Sequence, residues 1–134
     1  MTYEIVLSDC ARYVIFRPNK IGRVLEEFMR RRTAIIDFSD EHGVDNILMD
    51  YRGTSLSVEP GFFEAALAEP GIKAKRKRRV AVLLSIGDPS HSIFVAESLA
   101  DMLTATGHDA CRFLDHAEAV SWLVNSVSAP ATSG

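Results

Sequence analysis

The run Val80-Ala81-Val82-Leu83-Leu84-Ser85 constrains the fold most. It is continuously apolar, short, and bounded by a basic connector before it and Gly87-Asp88-Pro89 after it. A strand with one wetted face alternates polar and apolar residues. A run without alternation is buried on both faces and sits inside a parallel sheet. Parallel neighbours need crossover connections, so helices must flank this strand in sequence.

The rest of the chain supplies them. Glu4-Ile5-Val6-Leu7 and Tyr13-Val14-Ile15-Phe16 read as a β-hairpin about the polar segment 8–12, with Pro18 closing the second strand. Asn19 is placed to cap a helix of about 20 residues. Ile21, Val24, Leu25, Phe28, Ile35 and Ile36 give its apolar stripe. Arg23, Glu26, Glu27, Arg30 and Arg31 form its wet face, the cluster Arg30-Arg31-Arg32 reads as solvated, and Gly43 is the stop. The stretch Asn46 to Ser55 reads as a second buried strand followed by a polar loop. Pro60 fits the first position of a short helix with Phe62, Phe63, Ala66 and Leu67 on its apolar face. Asp88 as cap and Pro89 at the first helical position open a helix with Ile93, Phe94, Ala96, Leu99, Ala100 and Leu103 inward. Ala110 to Leu114 is the last strand. Asp115-x-x-Glu118 forms a capping box, with Asp in the Ser/Thr position, for a helix carrying Val120, Trp122, Leu123 and Val124.

The order is β-β-α-β-α-β-α-β-α: a single α/β domain over residues 1–125, with a mixed sheet that is an antiparallel hairpin first and parallel later. Residues 126–134 read as a frayed tail. No apolar run approaches the roughly 20 residues of a spanning helix, and the N-terminus has no basic region ahead of an apolar one. Cys10 and Cys111 lie far apart, outside any C-x-x-C arrangement, and read as reduced thiols. A cytoplasmic protein is expected.

Charge is unevenly placed. The segment 73–79 holds six of the 15 basic residues, and without it nine bases would face 18 acids. Lys75, Arg76, Lys77, Arg78 and Arg79 are therefore candidates for an anionic surface, such as lipid, or a solvated connector facing acids of this chain or a partner. Nucleic acid is not expected, because the positive charge sits in one connector and no aromatic residue interleaves it.

No catalytic signature appears: no G-x-S-x-G, no Gly-rich phosphate loop, no H-E-x-x-H. Ser85, Asp88, Ser90 and His91 invite a hydrolytic relay, but cap and first turn explain them. His91, His108, Cys111 and His116 do not converge in sequence as zinc ligands would, and no metal or cofactor is expected. The two strand-to-helix junctions are the places where an α/β domain meets a ligand or partner. Arg52, Ser55, Ser57 and Glu59 at the first, with Ser90 and His91 at the second, are the candidate contact residues.

With this order, the strand Ile47 to Arg52 and its loop, Arg79-Val80-Ala81-Val82, and Phe113-x-Asp115 leading into Glu118-Ala119-x-x-Trp122-Leu123, residues 4 to about 125 resemble the STAS domain, the anti-sigma-factor-antagonist fold, in its SpoIIAA-like branch. The resemblance implies a non-enzymatic regulatory module that binds a protein partner or small anion through the loop 52–61. Regulatory members carry Asp-Ser-Ser/Thr-Gly after a strand-ending Asp, with seven residues between. Counted from Asp50, this chain has Val58, Glu59, Pro60 and Gly61 there, so the phosphoserine switch of the family is absent. Lipid-transfer domains of the CRAL-TRIO kind share the superfamily fold. That alternative implies a lipid or small apolar ligand beneath the first helix with Phe62 and Phe63, and the segment 73–79 against a membrane. A second copy of the chain is a further candidate partner.

Overall fold

Among the described residues nine elements follow one another in the expected order. They are β1 (Tyr3–Leu7), β2 (Val14–Pro18), α1 (Leu25–His42), β3 (Asn46–Asp50), α2 (Phe62–Leu67), β4 (Arg79–Leu83), α3 (Ser90–Ala105), β5 (Asp109–Phe113) and α4 (His116–Val124). The structure is a computed structural model and describes residues 3–18, 24–54 and 56–125. Asn19, Ser55 and the expected tail lie outside the described residues.

The five strands form one sheet in the order β1-β2-β3-β4-β5. β1 and β2 are antiparallel, and every later pairing is parallel. Each helix returns the chain to the next position on the same side, so α1, α2 and α3 form one layer. Ile35, Ala66, Val95 and Leu99 from these helices pack on Phe16, Ile47, Met49, Val80 and Val82. Among the described residues the opposite face is covered by α4 alone, with Ala119 and Leu123 on Leu48, Ala81 and Leu83. β4 is thus enclosed on both faces: Val80, Ala81, Val82 and Leu83 are at most 2% exposed, as its lack of alternation requires. Each such Val or Leu contributes about 1.5–3 kcal/mol by leaving water.

Several local expectations need correction. The N-cap of α1 is Val24. Its buried residues are Arg31, Ile35 and Ser39, four apart on one stripe, so Arg31 is not on the wet face. Arg31 reaches Glu27 at 3.3 Å and lies 5.4 Å from the centre of the Tyr3 ring. Pro60 belongs to a turn. The N–H of Phe62 donates to the Glu59 carbonyl, and Gly61, at φ 77°, is the N-cap of α2. Pro89, not Asp88, is the N-cap of α3, one residue later than expected. Phe94 and Leu67 are 66% and 46% exposed, so neither belongs to the buried face assigned to it. Gly43 does end α1 in the left-handed conformation, and Asp115 does cap α4, accepting from the Glu118 N–H at 2.9 Å.

Candidate functional site

Because β2 to β5 run parallel, their C-terminal ends share one edge. Asp50 lies opposite Leu83, and the Tyr51 N–H donates to the Leu83 carbonyl, so the chain leaves for Arg52 and for Ser85 side by side. Asp50 anchors this rim. Its side chain is only 5% exposed. It accepts from Arg52 Nε at 2.9 Å, Arg52 Nη2 at 2.8 Å and Arg17 Nε at 3.4 Å. Burial alone would raise its pKa, but the hydrogen bonds and charge of Arg52, with help from Arg17, outweigh that and hold the carboxyl below its usual range. Arg17 continues the chain of charges to Glu4 at 3.6 Å. Arg52 is therefore pinned at its guanidinium while remaining exposed to solvent.

The loop after Arg52 is held from below. Tyr51 is buried, its phenol near Met49 Sδ at 3.9 Å, and burial pushes its pKa up to about 12. Leu56 is fully buried, and its N–H donates to Ser92 Oγ, in the first turn of α3, at 3.0 Å. One side chain thus locks the first junction to the second. Ser57 is half-buried and Glu59 exposed.

At the second junction Ser85 to Asp88 closes a turn. The Asp88 carboxylate accepts from the Ser85 N–H at 2.7 Å, while the Asp88 N–H donates to the Ser85 carbonyl. This is why Asp88 does not cap α3. Ser90 and His91 are exposed in the first helical turn, and among the described residues no hydrogen bond joins either to Asp88. A Ser–His–Asp relay is therefore not assembled. Ile86 in the turn is 79% exposed, and Phe94 opens the second turn of α3. Two large apolar side chains thus stand in water at the rim end of the sheet.

The basic segment behaves differently. It enters the opposite edge, where β4 and β5 begin. Arg78 is buried, donating to Ser39 Oγ at 3.1 Å and to Asp40 at 2.5 Å, so it does not lie on an open basic surface. Arg76 bridges Asp40 and Asp45 at 2.7 and 2.8 Å, and Lys77 reaches Asp109 at 3.4 Å. Arg79 pairs with Asp109 and lies 4.0 Å from the centre of the Trp122 ring, which holds α4 to the sheet. Four of the five candidate surface bases are thus matched by acids of this chain. Lys75 remains exposed.

Between the helical layer and the sheet lies an apolar cavity of about 70 Å³, walled by Phe28, Phe62, Phe63, Val80, Val95 and Leu99 among others. Arg32, Arg78 and His108 also line it. The Arg78 N–H donates to His108 Nδ1 at 3.1 Å, which places the proton of the neutral ring on Nε2. Burial first, then the charges of Arg78 and Arg32, lower the His108 pKa and favour that neutral form.

The groups that sequence reasoning passed over are Arg17, Ile86 and the role of His108, while Arg32, expected on a solvated face, lines the cavity. Only Ile86 carried a local signal, an isolated apolar residue inside a turn. Among the described residues no group of three or more His, Cys, Asp or Glu side chains converges as metal ligands would, and no helix is long and apolar enough to cross a membrane. Comparison with protein-family models, with curated proteins and with solved structures found no match to this chain.

Proposed function

We propose that this protein is a non-enzymatic interaction module that binds a protein partner through the rim formed by residues 52–61 and 85–94. The observation that carries this reading is the exposure of Ile86 and Phe94 on a rim whose backbone is fixed by Asp50, Leu56 and Ser92. A rigid edge with apolar anchors and a charged border, here Arg52 and Glu59, has the anatomy of a recognition surface. The element order supports kinship with STAS-like regulatory modules. Glu59 and Pro60 in place of the phosphoacceptor positions argue for recognition without that switch.

The test is a pull-down from extracts of the source cells with four proteins: wild type, I86S/F94S, R52A/E59A and K75Q/K77Q. A partner retained by wild type and K75Q/K77Q, and lost by I86S/F94S, is the expected result. Retention by I86S/F94S with loss in K75Q/K77Q would move the interaction to the basic edge and overturn the reading.

A second reading, binding of a small apolar molecule, is favoured by the cavity beneath α1 and α2. Its test is a native mass exceeding that of the chain by a bound molecule. The membrane-facing half of that alternative has weaker support, since Arg76 to Arg79 are matched by Asp40, Asp45 and Asp109.

A further inference from the structure

The cavity is apolar along most of its wall but is also lined by three arginines, Arg31, Arg32 and Arg78, and they differ in what meets their charge. Arg31 reaches Glu27 at 3.3 Å. Arg78 is matched by the Asp40 carboxylate. Arg32 is not matched in this way. Its Nη2 donates to the carbonyl oxygens of Gly71 at 3.3 Å and Ile72 at 2.9 Å, and among the described residues no carboxylate pairs with it. Its Nε and Nη1 donors remain for another acceptor. Burial and the neighbouring Arg78 charge both work against its ionisation, so an anion arriving at this wall would relieve an existing cost. A guanidinium favours a carboxylate, which it can grip with two parallel hydrogen bonds.

Size limits the rest of the ligand. A cavity of about 70 Å³ is about half the ~150 Å³ of a cavity that takes up benzene, which suits a tail of about three carbons and not a lipid chain. We propose that the cavity binds a short-chain carboxylic acid, with its tail among Phe28, Val80, Val95 and Leu99 and its carboxylate on Arg32. This rests on the reading that the cavity holds a small molecule, and it names the class of that molecule.

The experiment is an NMR titration of the full chain, methyl-labelled at Val and Leu, with sodium butanoate and separately with 1-butanol. The two probes share size and tail and differ in charge. The expected result is saturable shifts at the Val80, Val95 and Leu99 methyls, with butanoate at least tenfold tighter than butanol. In Arg32→Gln the preference disappears; Arg32→Lys keeps part of it. Equal binding of the two probes to the wild type overturns the acid assignment but leaves the cavity reading standing. No shift at these methyls with either probe overturns both. A butanoate preference that survives Arg32→Gln also overturns the assignment. The comparison in wild type decides the charge preference by itself if that variant does not fold.

Discussion

The two ends of the sheet are both rich in charge, and they use it in opposite ways. At the strand starts, four successive bases close on Asp40, Asp45, Asp109 and the Trp122 ring, and the only strongly buried cation among them, Arg78, is engaged on several sides. At the strand ends, one buried carboxylate, Asp50, organises Arg17 and Arg52, and beyond that knot the loops leave apolar side chains in water. One end spends its charge on holding the fold. The other holds its backbone with few groups and keeps a surface free. A conspicuous basic run is therefore a poor guide to where this protein meets others, because a pairing with acids distant in sequence cancels it.

The largest effect that separates the two ends should come from Arg78→Met. It leaves Ser39 Oγ and Asp40 short of their buried donor, and a loss of about 3 kcal/mol is expected in denaturant unfolding. A loss below about 1 kcal/mol would mean the basic edge is not a structural brace. Arg52→Ala should cost less, about 1 kcal/mol, since Arg17 continues to neutralise Asp50 and Arg52 is itself exposed. The same unfolding curves measure it.

A smaller effect comes from pH. The folded-state pKa of His108 lies below its ordinary value of about 6.5, so the unfolded chain takes up a proton first on acidification. Its contribution is full above about pH 6.5 and is lost as pH falls toward the folded value. Stability should decline between pH 7.5 and 5.5 in wild type, and the decline should be shallower in His108→Gln. Equal slopes would remove His108 from the account. The smallest stability change belongs to I86S/F94S, within about 0.5 kcal/mol of wild type, because both side chains already face water. A loss of several kcal/mol there would show that the two residues serve the fold and not a partner.

Much of the architecture was legible because it depends on local periodicity. The unbroken run at Val80 required a doubly covered strand, and Gly43 and Asp115 announced their caps. The errors are of two kinds. Pro60 and Asp88 were each placed at a helix start by residue preference, yet Gly61 at φ 77° and the Asp88–Ser85 turn moved the starts onward. Residue type alone does not distinguish a cap from a closing turn. Arg31 and Arg78 were assigned to solvent because they are charged. Their burial depends on Glu27, the Tyr3 ring, Ser39 and Asp40; only the first of these is near in sequence to its arginine. The same holds for the cavity: Arg32 meets the carbonyls of residues 39 and 40 positions away, and no periodicity encodes that.

A strand order that never doubles back lets the polypeptide be laid down in sequence as it leaves the ribosome, each helix–strand pair adding beside the one before. The exception is the final helix, which must swing back across β3 and β4 to shield Leu48, Ala81 and Leu83. Until it arrives, the nascent chain carries a greasy, uncovered side. Truncation at residue 114 should therefore yield an aggregating product, although every strand is already present.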